Sequence, residues 1–139
     1  MKTSKGASAV EFAIVLPILI LVLFGIIEGS ILLYDRVMIT NASREGARAG
    51  IVFQVPSVTD GDITTTVNNY LGSRLVTFGG TGVATTLVTR TGYNSGDKLT
   101  VSVEFTYVSL LLPNFLLPTP EPLGQKGLKL IVETVMRME

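Results

Sequence analysis

Residues 7–34 read ASAVEFAIVLPILILVLFGIIEGSILLY, and this run decides what kind of chain this is. From residue 12 to residue 34 the only charge is Glu28. As a helix this stretch is about 34 Å long, enough to cross a hydrocarbon layer of about 30 Å. Two carboxylates mark it. Glu11 stands at its mouth, where headgroups keep a charge cheap. Glu28 stands well inside, where insertion scales put a carboxylate at roughly 2.5–3.5 kcal/mol. Such a group needs a partner. Gly25 and Gly29 flank it at a G-x-x-x-G spacing that lets another helix approach closely, so a contact between subunits is expected there. The alternatives are a protonated Glu28, or a helix shifted until Glu28 reaches the interface. Pro17 removes one helical hydrogen bond and is expected to give a mild kink or a locally melted turn.

Outward from the run, the leader MKTSKG carries Lys2 and Lys5. By the positive-inside rule this end stays cytoplasmic, and the globular part lies across the membrane. A secretory signal would have an apolar core of about 7–15 residues followed by its cleavage site. Here the apolar run is longer, and the small residues Gly6 and Ala7 precede it. The junction K-G-A-S-A-V-E-F resembles the processing site of type IV pilin-like proteins, and AVEFAIVLPILILVLFGIIEGSILLY with ITNASREGARAG is similar to the TadE-like pseudopilins of the tight-adherence (Tad, Flp) pilus system. The resemblance covers residues 5–50, with a weak echo in ETVMRME. It implies cleavage between Gly6 and Ala7 by a membrane prepilin peptidase, recognition and subunit contact through Glu11 and Phe12, and helix packing around Pro17, Gly25, Glu28 and Gly29. In this reading Glu11 neutralises the new amino terminus of Ala7, on its own chain or a neighbour. It also implies an interaction role for the motif residues Asn41, Ala42, Arg44, Glu45, Gly46, Ala47 and Arg48.

The pattern beyond the anchor predicts an α+β fold: a long N-terminal transmembrane helix, a second helix and a three-stranded antiparallel sheet. The division expected is a leader over 1–6, a transmembrane helix over 7–35, and an extracytoplasmic part over 36–139 into which the helix continues to about residue 50. Ala42, Gly46 and Gly50 recur every four residues and leave a groove for the chain's own second layer or for another helix. Gly50 suits a helix end. A second helix is predicted over 62–75, capped by Asp60 or Asp62, with Ile63, Val67, Tyr70, Leu71 and Leu75 in one stripe. Strands are predicted over 83–91, 98–107 and 127–138. In the middle one, Leu99, Val101, Val103, Phe105 and Tyr107 alternate with polar residues. In the last, Leu128, Leu130, Val132, Met136 and Met138 oppose Lys129, Glu133 and Arg137. The turn between the first two is Gly92 to Gly96. Between strands two and three, SLLLPNFLLPTPEPLGQKG holds four prolines and cannot be regular structure. Its apolar residues, Leu112, Phe115 and Leu116 among them, either fold back over the core or contact a partner or membrane surface.

Composition narrows the function. In 139 residues there is no Cys and no His, so no thiol nucleophile, no disulfide and no histidine base exists. No cofactor or metal is expected: the TDGD stretch has too few oxygen ligands for a calcium loop. Lys plus Arg balance Asp plus Glu at 11 each, and loss of the leader gives a net charge of −2. No basic stripe suits nucleic acid. Glu45 and Arg48 form an ordinary helix-surface pair. The missing His and Cys disfavour an enzyme, and the resemblance implies a TadE-like pseudopilin or minor pilin. By the resemblance it is a single-pass protein of a bacterial inner or cytoplasmic membrane. It is the substrate of the peptidase, it takes part in pilus assembly with other Tad pilins and pseudopilins, and it associates as a hetero- or homo-oligomer through the N-terminal helix. The alternative is a single-pass protein, uncleaved at Gly6, whose outer part binds a ligand or envelope component.

Overall fold

The computed structural model describes residues 3–52, 57–78, 83–109 and 127–138. Two helices and three strands follow in the order α1 (Thr3–Ile51), α2 (Asp60–Leu71), β1 (Ala84–Arg90), β2 (Lys98–Val108) and β3 (Gly127–Arg137). The sheet is antiparallel with spatial order β1-β2-β3. Its register aligns Ala84, Phe105 and Leu130 in one row and Thr86, Val103 and Val132 in the next but one. The α+β architecture expected from the sequence is therefore present.

α1 begins four residues before the expected Ala7 and runs unbroken through Pro17 to Ile51. Its leader residues have no helix breaker except Gly6, so nothing in the sequence stops the first turn. The second half of α1 is the spine of the globular part. Ile39, Ala42, Ser43, Gly46, Ala47 and Gly50 form its buried face. The glycines are small for a reason. A Cβ on Gly46 would lie 2.5 Å from a methyl of Val67, and one on Gly50 would lie 2.5 Å from methyls of both Ile63 and Leu99. The groove expected from the four-residue spacing is filled by α2 and β2 of the same chain. Ser43 adds a polar tie: its hydroxyl donates to the Val101 carbonyl at 2.8 Å and lies 2.7 Å from the Thr134 hydroxyl.

α2 is shorter than expected. Gly72, at φ +49°, ends it after Leu71, and Leu75 reaches the core from the segment beyond. Its cap is Thr59. The Thr59 hydroxyl accepts from the Asp62 amide, and the Asp62 carboxylate accepts from the Thr59 amide at 3.0 Å. This capping box leaves Asp60 for an ion pair with Arg90, which also donates to the Val58 carbonyl. Both acids of TDGD are thus engaged in structure. Ile63, Val67 and Leu71 face α1, while the inward residues of β2 are all buried. On β3, Leu130 is buried, but Leu128, expected on the inner row, is exposed. Ile131 and Val135 stand on the open face beside Lys129, Glu133 and Arg137. The proline-bearing connection, with Leu112, Phe115 and Leu116, lies outside the described residues.

Two predictions follow from this packing. Gly46→Ala should lower stability by about 1–3 kcal/mol, because the added methyl meets a β-branched side chain that has nowhere to go. Gly61→Ala, on the exposed first turn of α2, should instead be neutral or raise it by about 0.5–1 kcal/mol through reduced backbone entropy of the unfolded chain. Denaturant melts of both variants check the contrast. Hydrogen bonds from the Thr59 side chain and backbone hold the Asp62 carboxyl below the usual aspartate value. A depressed folded pKa gives stability that is present above the unfolded value and is lost as pH falls through the folded one. The acid limb of a stability profile should therefore flatten in Asp62→Asn; an unaltered limb would exclude this group as a contributor.

Candidate functional site

The functional surface of this chain is α1 itself, read along its length. Gly6 and Ala7 are exposed on its first turns, and a Cβ on Gly6 would meet nothing within 4 Å. Glu11 lies one turn on from Ala7 and is exposed, as is Phe12. Side chains on a helix tilt toward its N-terminus, so Glu11 leans back toward the Ala7 backbone. From Val10 to Ile27 the helix presents an almost unbroken apolar surface, with Ile14, Ile18, Val22 and Ile26 among its exposed residues. This is the one helix among the described residues long and apolar enough to cross a membrane, and none of its most apolar window is covered by the rest of the chain. Pro17 is exposed within it. Gly25 and Gly29 have open space where a Cβ would stand, so among the described residues nothing fills the close-approach face they form.

Glu28 breaks this pattern. It is only 1 % exposed, and Ser109, just past the end of β2, donates to its carboxylate at 3.1 Å. The sequence placed Glu28 at a contact between subunits. The structure gives it a partner 81 residues away in the same chain, because the end of β2 folds down beside it. Two turns on, Asp35 occupies the same helix face and is fully buried. One of its oxygens accepts from the Val76 amide at 3.0 Å. Tyr107 is buried beside the pair. Burial pushes its phenol pKa up, and the charges of Glu28 and Asp35 push it further. Among the described residues, the second Asp35 oxygen and the Tyr107 hydroxyl have no hydrogen-bond partner. Asp35, Tyr107 and Ser109 were not singled out from sequence. The available signal was the seven-residue spacing of Glu28 and Asp35, which returns to the same side of a helix after two turns.

The motif region divides by face. Ala42, Gly46 and Ala47 are buried against the sheet and α2, Asn41 is half-buried, and Arg44, Glu45 and Arg48 point outward. A shallow groove of about 290 Å³ runs along this outer side, lined by Leu33, Arg36, Val37, Thr40, Asn41 and Arg44. Among the described residues this outer side offers apolar surface, small residues and a few cations.

Residues 6–48 match the model of the TadE-like protein family. This part of the chain is TadE-like. The match begins at Gly6, runs through the apolar stretch and ends at Arg48, so it follows α1 almost from end to end and includes Glu11, Glu28, Asp35 and the motif. It associates the chain with Tad pilus systems, and together with the uncovered apolar helix it points to membrane anchoring. No curated protein and no solved structure matches the chain.

The buried face of the TadE-like helix gives a further prediction. Asp35→Ala removes the acceptor of the Val76 amide and should cost about 1–3 kcal/mol, whereas Asp35→Asn keeps an oxygen there and should cost less. Hydrogen exchange at the Val76 amide reads this directly, with protection lost in the alanine variant and retained in the asparagine variant.

Proposed function

We propose that this chain is a pilin-like subunit of a Tad pilus system. It is made as a precursor, cut between Gly6 and Ala7 by a membrane prepilin peptidase, and held in the membrane by α1 until it joins other pilins or pseudopilins. It acts as a substrate and a building block, not as an enzyme. The observation that carries this reading is the head of α1. A small-residue junction sits one turn before a lone carboxylate, and none of the most apolar window of the helix that follows is buried among the described residues. Cleavage after Gly6 would create a positive amine at Ala7, four residues from Glu11. At that spacing the carboxylate reaches back to the amine along the same face, and at a bilayer boundary the pair is far cheaper than either charge alone. In a neighbouring subunit the same carboxylate can meet the same amine across a helix contact. The open faces of Gly25 and Gly29 then admit the second helix.

Because residues 3–6 are helical in this chain, the peptidase must unwind the first turn to reach the bond. Gly6 makes that turn easy to open and leaves room at the backbone. Intact mass of protein purified from its native membrane tests the reading. The expected chain starts at Ala7, and Gly6→Val should accumulate the longer precursor. A wild-type chain that keeps Met1 would refute the processing claim and leave a single-pass anchored protein.

A further inference from the structure

The anchor and the globular part share one continuous helix, so the level of one fixes the level of the other. If Glu11 marks the near boundary of the hydrocarbon layer, about 20 helical residues cross it, which brings the far boundary to about residue 31. Glu28 then lies inside the apolar layer, and so does whatever covers it. What covers it is the lower end of the sheet. β2 runs back along α1: its Val101 carbonyl meets Ser43, and Ser109 beyond its end meets Glu28. Fifteen helical residues and eight extended ones both span roughly 22–26 Å, so the two run side by side over this length.

Among the described residues, those exposed at this lower end are mostly apolar, with Thr106 the polar exception. Phe78 is tied to it by its amide, which donates to the Val108 carbonyl at 3.0 Å. Leu128 pairs across from Tyr107, and Val83 precedes the residue that pairs with Phe105. Val83 is 71 % exposed, and Val76, Phe78 and Leu128 are exposed as well. On the other side of α1, Leu33 and Tyr34 continue the ring at the same height. Arg36 and Lys129 come next, farther from the anchor, where lipid phosphates would lie. The sheet's opposite end carries a more polar surface: Asn94, Ser95 and Lys98 are exposed there, with Tyr93 the one large aromatic among them.

We propose that this end of the globular part is a lipid-contact surface, with Leu33, Tyr34, Val76, Phe78, Val83 and Leu128 set into the boundary between headgroups and acyl chains. The proposal rests on the anchoring reading above. Its occupant is the bilayer that holds α1, because the apolar ring is continuous with the uncovered surface of the anchor and rigidly tied to its height. An apolar ring at this depth with aromatic members is the usual composition of an interfacial contact. The arrangement also explains why Glu28 is shielded by protein: without the sheet end beside it, its carboxylate would face hydrocarbon.

The chain has no Cys, so single cysteines can be placed and labelled freely. The full chain is reconstituted in vesicles of phosphatidylethanolamine and phosphatidylglycerol. A bimane is attached at Phe78→Cys, Val83→Cys or Leu128→Cys, with Leu21→Cys as the anchor control and Ser95→Cys as the distant control. Brominated acyl chains should quench the three base labels severalfold more than the label at Ser95, and iodide in the water should quench them severalfold less. If Leu21 is quenched by lipid but the base labels behave like Ser95, anchoring stands and this proposal fails. If the base labels are shielded from both quenchers, a protein partner or second copy covers them and the proposal fails. If Leu21 escapes lipid quenching, the anchoring reading falls and this one with it.

Discussion

Two glycines set the distance on which the globular part depends. At Gly46 and Gly50 the backbone of α1 comes close enough for Val67, Ile63 and Leu99 to pack directly against it. Any larger residue would push the helix away from both of the other layers at once. With the helix at that distance, Ser43 reaches the Val101 carbonyl, α2 lies in the space beside it, and the inner face of β2 is sealed. Burial of side chains such as Ile63, Val67, Leu99 and Val101 then stabilises the fold by about 1.5–3 kcal/mol each before entropy is counted. The same close approach fixes where the lower end of the sheet meets the helix, and hence which residues of α1 are covered.

That end is where one helix changes surroundings. Up to Ile27 the apolar residues of α1 are almost all exposed; from Glu28 onward one face belongs to the fold. Glu28 stands at this change and Asp35 two turns beyond it, and each is answered by a group from elsewhere in the sequence: Ser109 and the Val76 amide. A buried carboxylate that accepts a specific hydrogen bond is a poor source of net stability but penalises any other register, since a shift would strand it. Glu28 and Asp35 thereby act as two depth marks that hold the globular part at one height on its anchor. For the membrane-anchored pilin-like subunit proposed above, a fixed height has an evident use.

Much of this was legible in the sequence, for definite reasons. The strict alternation of residues 98–107 can be satisfied only by a strand with one covered face, and Leu99, Val101, Val103, Phe105 and Tyr107 are the buried set. The four-residue spacing of Ala42, Gly46 and Gly50 forces a flat helix face, although the pattern alone did not say what would lie on it. The cap of α2 was misassigned because Thr59, Asp60 and Asp62 are all competent caps; only geometry shows that Thr59 takes the position and Asp62 returns the bond. The extent of α2 was overestimated because the apolar stripe continues to Leu75, while the backbone at Gly72 has already turned. Glu28 was seen to need a partner, but Ser109 is a weak signal 81 residues away, and no periodicity connects the two. Asp35 closes the expected anchor, since a carboxylate after an apolar run reads as an exit from lipid, and nothing among the described residues conflicts with that boundary. Its two-turn spacing from Glu28 carried the further message of a shared helix face.

One continuous helix, α1, joins the apolar surface of the anchor to the core of the globular part. Spin labels at Ile14→Cys and Arg44→Cys, both exposed on α1 and on opposite sides of the change in surroundings, test it in reconstituted membranes. Thirty residues of unbroken helix correspond to about 45 Å. Dipolar spectroscopy should return one narrow distance near that value, after allowance for the label arms. A markedly shorter or broad distribution would mean that the helix bends or melts between anchor and fold, and would contradict the account.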